Sequence, residues 1–276
     1  MPLAIVTDST SDIPQHMREE LNIFQIPALI IIEDQVFLDG IDISREEYYR
    51  KLPAYDALPT TSSPSTGEFQ ALYRKIFSLG FTEILSIHLA SKLSGVCNVA
   101  RLAAKDMGSN VHVFDSGQVT LGLGFQVLEA AKAAANAVPV DKIISTLRAL
   151  QEKIFVFAML DTLGYILKSG RIPWVKASLG AFLNLKPLVQ LKEGEVINIG
   201  LSRARKRGIS RLHQTLQELG PLEYLAVLHT NAKRDGEDFL ARYQESLSQR
   251  SFLVNVTTSI GTHVGPNGLG FAAVVK

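Results

Sequence analysis

Through the first half of this 276-residue chain, short apolar runs alternate with stretches of helical length, and hydroxyl-rich loops follow the runs. Leu3 to Thr7 leads into Asp8-Ser9-Thr10-Ser11, Glu83 to Leu89 into Ser91 to Gly95, and Val111 to Phe114 into Asp115-Ser116. A fourth cluster, Thr60 to Ser65, opens another helical stretch. This alternation predicts an α/β fold with a doubly wound, mostly parallel sheet, in which ligands sit at the carboxyl ends of the strands. A helix N-terminus offers unpaired N–H groups and a partial positive charge, and neighbouring hydroxyls add neutral donors. Such loops suit an anion without needing Lys or Arg. Ser and Thr are also ordinary helix N-caps, so one loop alone carries both readings. The loop residues Ser62, Ser63, Gly95, Asp115 and Ser116 are the expected supports of such a site.

Local signals divide the chain further. Asp12 is placed to cap a helix with Pro14 in its first turn. Phe24 to Ile32 reads as one buried strand. Ser44 with Glu47, and Ser65 with Glu68, have the spacing of capping boxes; the second opens a helix to about Leu79 that Gly80 stops. Helices are predicted from about Ser94 and over 118–137 and 139–152. The second half differs. Strands at Phe155–Met159, Tyr224–His229, Phe252–Thr258 and Leu269–Val275 accompany a hairpin of Pro187–Lys192 and Val196–Leu201 about Glu193-Gly194-Glu195, which predicts a mixed sheet. Lys168 to Ile172 reads as a loop, a basic helix starts near Arg203, and another covers 235–248. The length suits two packed domains, expected at 1–155 and 156–276, the second also α/β.

Composition removes several functions. Twenty-eight basic and 27 acidic side chains leave a formal charge of +1, so there is no global field for gripping a nucleic acid. The single cysteine, Cys97, excludes a disulfide framework within the chain and suits a reducing cytosol. The N-terminal run meets Asp8 without a basic segment before it and reads as a strand rather than a signal peptide. Phe24 to Ile32 is too short to span a bilayer, and Val119 to Val138 is interrupted by Glu129 and Lys132. A cytoplasmic protein without stable membrane insertion is expected.

Chemistry-bearing motifs are few. Gly261-Thr262-His263-Val264-Gly265-Pro266-Asn267-Gly268 sets one imidazole among glycines that allow close backbone approach, or is simply a turn between two strands. There is no G-x-S-x-G elbow and no Walker loop, and Gly122-Leu123-Gly124 lacks the third glycine of a dinucleotide fingerprint. The histidine spacings and the lone cysteine offer no metal cluster. Two alternatives stay open: a serine-type hydrolase or transferase using Ser94 or Ser65 with His263, steadied by Asp8 or Asp115, and a binder of a small phosphorylated metabolite. The basic run Arg203, Arg205, Lys206, Arg207, Arg211 reads as a solvated helix face or as a docking patch.

Taken in order, DSTSDIP at 8–14, TSSPS at 61–65, LSG at 93–95, DSG at 115–117, SGRI at 169–172, Lys186-Pro187 and HVGP at 263–266 resemble the DegV family, from the first strand to the last. The resemblance implies two α/β domains holding one long-chain fatty acid in a buried tunnel, in a non-catalytic subunit of bacterial fatty acid kinase. It implies that Thr61, Ser94 and His263 gather at the carboxylate and that Arg171 and Arg203 meet the kinase subunit, which supplies ATP. No cofactor is implied beyond the fatty acid ligand. Ser63, Ala90-Ser91, Val96-Cys97 and Asn267 depart from the family pattern, leaving the three carboxylate positions intact. Leu121, Leu123, Phe125 and Leu128 are candidates for tunnel lining or plain core.

Overall fold

The computed structural model describes residues 2–172, 185–247 and 250–276. In chain order the elements are β1 (Leu3–Asp8), α1 (Gln15–Glu20), β2 (Ile23–Ile26), β3 (Leu29–Ile32), β4 (Gln35–Leu38), α2 (Arg45–Lys51), β5 (Thr60–Ser62), α3 (Thr66–Ser78), β6 (Glu83–His88), α4 (Val96–Lys105), β7 (Val111–Asp115), α5 (Leu121–Ala135) and α6 (Val140–Gln151). They continue as β8 (Ile154–Met159), α7 (Gly164–Ser169), β9 (Lys186–Lys192), β10 (Glu195–Ser202), α8 (Arg205–Glu218), β11 (Leu222–His229), α9 (Lys233–Ala241), α10 (Gln244–Leu247), β12 (Ser251–Asn255), α11 (Thr258–Val264) and β13 (Leu269–Val275).

Two compact units result: residues 1–29 with 62–152, and residues 30–61 with 153–276. The expected contiguous division at 155 did not foresee the excursion of 30–61. Its cause is local. The single strand expected over Phe24 to Ile32 is broken at Pro27, which has no N–H to donate to a ladder. The chain therefore leaves one sheet after β2 and enters another at β3.

The first unit is built on the expected parallel sheet, ordered β2-β1-β6-β7. Its strands are near-continuous apolar runs because both faces are covered, and Ile5, Val6, Ile84, Leu85 and Ile87 are all buried. Ser65 and Glu68 complete a full capping box on α3. Ser44 makes only half of one, because the Glu47 carboxylate turns to Lys51 instead. Asp12 does not cap α1; it closes a 3-10 turn in the left-handed region and accepts a hydrogen bond from Thr120 Oγ1 at 2.7 Å. Leu121, Leu123, Phe125 and Leu128 are buried on α5.

The second unit contains the expected mixed sheet, ordered β10-β9-β8-β13-β11-β12, with β11 and β12 parallel and the other neighbours antiparallel. Its core includes Phe157, Met159, Leu212, Leu225, Phe239 and Phe271. The excursion adds a small sheet, β4-β3-β5, and a satellite core of Ile30, Ile32, Ile43, Tyr48, Tyr49 and Leu52. Three readings change here. Lys168 and Ser169 end a helix, α7, rather than lying in a loop, and α11 occupies part of what read as strand and turn. The expected helix over 235–248 is two helices, α9 and α10, and residue 248 lies outside the described residues.

Gly261 fixes how α11 packs, because a side-chain carbon there would overlap the Tyr49 ring. Gly261→Ala is expected to lower stability by about 1–3 kcal/mol through overpacking. Urea unfolding reads this directly, and an unchanged midpoint would show that the Tyr49 ring does not seat against Gly261.

Candidate functional site

In the second unit, β5 carries Thr61 and the last turn of α11 carries His263. They meet through Thr61 Oγ1 and His263 Nε2 at 2.8 Å, across 202 residues of sequence. The excursion braces α11 around this pair. The buried Asp39 carboxylate accepts from the Thr257 and Thr258 hydroxyls at the start of the helix. Tyr49 Oη donates to the Val256 carbonyl at 2.9 Å. Tyr48 Oη reaches Thr262 Oγ1, which itself donates to the Thr258 carbonyl at 2.8 Å. Gly265, with φ of 78°, turns the chain out of the helix against the Tyr165 ring, where a side chain would collide.

Burial, with a smaller contribution from the nearby Arg171 charge, pushes the His263 pKa down to about 4. The imidazole is therefore neutral at pH 7. With its proton on Nε2, the ring donates to Thr61 Oγ1 and frees the threonine hydroxyl hydrogen for another acceptor. That tautomer gives the pair a neutral donor for an anion.

In the first unit, three of the four hydroxyl-rich loops lie at carboxyl ends of the parallel sheet, after β1, β6 and β7. The fourth, Thr60 to Ser65, begins on β5 of the small sheet, so the four do not share one edge. Ser94 Oγ accepts from the Val96 N–H at 3.4 Å, just before α4. Ser63 lies beside Gly95, its Oγ 3.6 Å from where a Gly95 side chain would start. Ser62 Oγ donates to the Ser63 carbonyl at 3.3 Å. The Asp115 carboxylate accepts from the N–H groups of Ser91 and Gly117. Ser116 Oγ is buried against Gln118, accepting from its N–H and donating to its carbonyl.

A buried relay escaped sequence reasoning. Tyr73 Oη donates to Ser86 Oγ at 2.9 Å, Ser86 Oγ meets His88 Nε2 at 2.7 Å, and His88 Nδ1 meets Asp8 Oδ2 at 2.9 Å. All four residues are fully buried. The order is that of a Ser–His–Asp triad, yet no substrate can reach Ser86, and a phenol already occupies its oxygen. The signal was present: Ser86 and His88 are alternate polar residues in the apolar run of β6, whose neighbour β1 ends in Asp8. Asp8 and Asp115, the carboxylates considered for steadying His263, are engaged with these other partners. Burial pushes the Cys97 thiol up to about 12, so it is a packing group rather than a nucleophile. Among the described residues, no group of three or more His, Cys, Asp or Glu could hold a metal, and no helix is long and apolar enough to cross a membrane.

The family model for DegV, described as an uncharacterised protein of the DegV family, matches residues 2–276. The chain belongs to the DegV family. A DegV domain-containing protein of Deinococcus radiodurans is 34% identical over 277 residues, covering 99% of this chain and 98% of that one. Two solved structures cover 100% of both chains at 30% identity with TM-scores of 0.89: a DegV family protein from Thermus thermophilus described for its fatty acid binding, and DegV from Bacillus subtilis, described as a fatty acid binding protein.

The remaining expected residues of this DegV chain are exposed. Arg171 follows Gly170, the left-handed C-cap of α7, and its guanidinium donates to the Ser169 carbonyl. Arg203 lies in the link between β10 and α8. Arg205, by contrast, is committed to Asp235, Asp161 and the Asn267 carbonyl, so it is not part of a solvated face with Lys206, Arg207 and Arg211. Asn267 has φ of 61°, a conformation that Asn tolerates better than most side chains, which accounts for its standing where the family pattern has glycine.

The low His263 pKa sets a pH dependence. The fold favours the neutral ring, so this contribution is fully present above the ordinary value of 6.5 and is lost as pH falls from 6.5 toward about 4. NMR titration is expected to keep the His263 ring neutral to about pH 4–5, and His263→Gln to flatten the acid limb of the stability profile. A ring that titrates near the ordinary histidine value would contradict this environment.

Proposed function

We propose that the chain binds one long-chain fatty acid in a buried tunnel and presents its carboxylate to a separate ATP-using kinase, which converts it to an acyl phosphate. The observation that carries the ligand class is the end-to-end match with two solved relatives described as fatty acid binding. Thr61 and His263 together supply a neutral donor for the carboxylate, the ring N–H holding Thr61 Oγ1 and leaving the hydroxyl hydrogen for the anion. Ser94 is the third residue that the family resemblance assigns to the carboxylate. The loops around Ser62, Ser63, Gly95, Asp115 and Ser116 support the hydroxyl groups. Affinity comes from the tail: at about 0.8 kcal/mol per methylene, a chain of about 14 gives on the order of 11 kcal/mol before the costs of binding.

In the transfer step, a carboxylate oxygen attacks the γ-phosphorus of ATP and ADP departs. This chain holds and orients the nucleophile; the kinase supplies the nucleotide and the ions that neutralise charge. The reading makes the chain a non-catalytic subunit acting in the cytoplasm, where ATP is available. Arg171 and Arg203 are its docking residues. Both guanidiniums can fork onto carboxylate or phosphate, and the Arg171 charge is already felt at His263, beside the proposed carboxylate position. The hydrolase alternative is disfavoured by the commitments of Asp8 and Asp115.

Native mass spectrometry of the recombinant protein is expected to show an added mass of a few hundred daltons, roughly the size of a chain with about 14 methylenes, that organic solvent extracts. Thr61→Ala and Ser94→Ala should each weaken retention by about 1.5–3 kcal/mol, the usual loss for a hydrogen bond to a charged group. Full retention by the double variant would remove these residues from the carboxylate site. Docking separates cleanly from binding. Arg171→Ala should retain the lipid yet slow its phosphorylation at limiting carrier concentration, and normal turnover there would exclude the role.

A further inference from the structure

The register of α8 brings Arg205, Lys206, Ile209, Ser210 and His213 along one helical face, three and four residues apart. This face lines a cavity of about 450 Å³, closed on its other side by Asp235 of α9 and by Arg242 just beyond that helix. The volume lies within the range of small-molecule pockets. None of these residues belongs to the Thr61–His263 site.

The charges in the cavity do not cancel. Three cations face one carboxylate, and Arg205 satisfies that carboxylate through Nε and a terminal nitrogen. Lys206 and Arg242 have no ion-pair partner among the described residues. The inner wall is His213, only 8% exposed. Its ring lies flat on Phe239, with centroids 3.9 Å apart, and its Nδ1 meets Tyr243 Oη at 2.9 Å. Nε2 has no hydrogen-bond partner among the described residues. The tautomer in which the phenol donates to Nδ1 puts the ring proton on Nε2, which is then a neutral donor. Burial, reinforced by the Arg242 charge, holds the His213 pKa at about 4, so the ring is uncharged at pH 7.

We propose that this cavity is a second ligand site, taking the phosphate group of a small phosphorylated molecule. Lys206 and Arg242 meet its charge, while His213 Nε2–H and the Ser210 hydroxyl meet its oxygens. A phosphate monoester fits this donor set better than a carboxylate. It carries nearly two negative charges and three strong acceptor oxygens, against one charge and two oxygens. Ile209 adds an apolar surface for the organic part of the ligand.

The test uses the full chain and three probes: inorganic phosphate, inorganic pyrophosphate and acetate. Each is titrated by calorimetry and by following the His213 ring nitrogens in NMR. Phosphate or pyrophosphate is expected to bind saturably and shift His213 Nε2, with acetate at least tenfold weaker. Lys206→Ala combined with Arg242→Ala, at two exposed positions, should weaken phosphate binding tenfold or more, whereas Thr61→Ala should leave it unchanged. The proposal is overturned if His213 shows no saturable shift, if the double variant binds phosphate as the parent does, or if acetate binds equally well. Binding of a polyglutamate peptide with no response to either phosphate probe would also overturn it and mark a protein-docking face instead.

Discussion

A carboxylate removed from water must be met by donors, or its burial costs several kcal/mol. Asp39 is 2% exposed and is met by the hydroxyls of Thr257 and Thr258. This contact ties the excursion of 30–61 to the start of α11. Much of the second unit's arrangement near His263 follows from it. The donors are available only when α11 begins where it does, and Tyr48 and Tyr49 then reach Thr262 and the Val256 carbonyl from α2. The satellite core of Ile30, Ile32, Ile43 and Leu52 supplies the apolar burial that steadies the two tyrosines. The imidazole is thus positioned by residues more than 200 places away in sequence.

The first unit solves a similar problem differently. Asp8 is fully buried at the carboxyl end of β1, and it accepts from His88 Nδ1, the Thr10 N–H and the Leu89 N–H. The relay continues to Ser86 and Tyr73, so each polar group in the line has a partner. Such a network favours one registration of β1 against β6, because any slip would strand buried donors. Triad order alone therefore does not make an active site; access to the serine decides, and Ser86 has none.

The legible parts of the sequence were those where local pattern and tertiary environment agree. The strands β1, β6 and β7 were legible as continuous apolar runs, although β1 and β6 pair across a long stretch of chain, and the α3 capping box and the β9–β10 hairpin follow from residues close in sequence. The misses are tertiary. Pro27 splits what hydropathy joined, because periodicity records burial and not which sheet provides it. Helix α11 contains Thr258, Ile260, Gly261 and Thr262, all poor helix formers, and is held by Asp39 and the two tyrosines. At the site, Thr61 stood out as one hydroxyl among several and His263 as one imidazole among glycines. That they meet was implied only by family resemblance, since no spacing rule links residues 202 apart.

On the proposed reading, the carboxylate must be held firmly while keeping an oxygen able to attack phosphorus. A cation bonded directly to it would hold it better and blunt it as a nucleophile. Whether His263 stays neutral therefore matters. Protonating a ring with a pKa of about 4 at pH 7 costs about 4 kcal/mol. A carboxylate about 4 Å away would return roughly the same amount at an effective dielectric of about 20. Burial and the Arg171 charge together set that pKa, so the two of them nearly balance the bound anion. Arg171 is the smaller contribution, and its positive charge opposes protonation of His263. The same guanidinium proposed to meet the kinase therefore helps keep the carboxylate's neighbour neutral. A partner that drew Arg171 into an ion pair would weaken that opposition, coupling docking to the protonation of the imidazole and hence to the reactivity of the carboxylate.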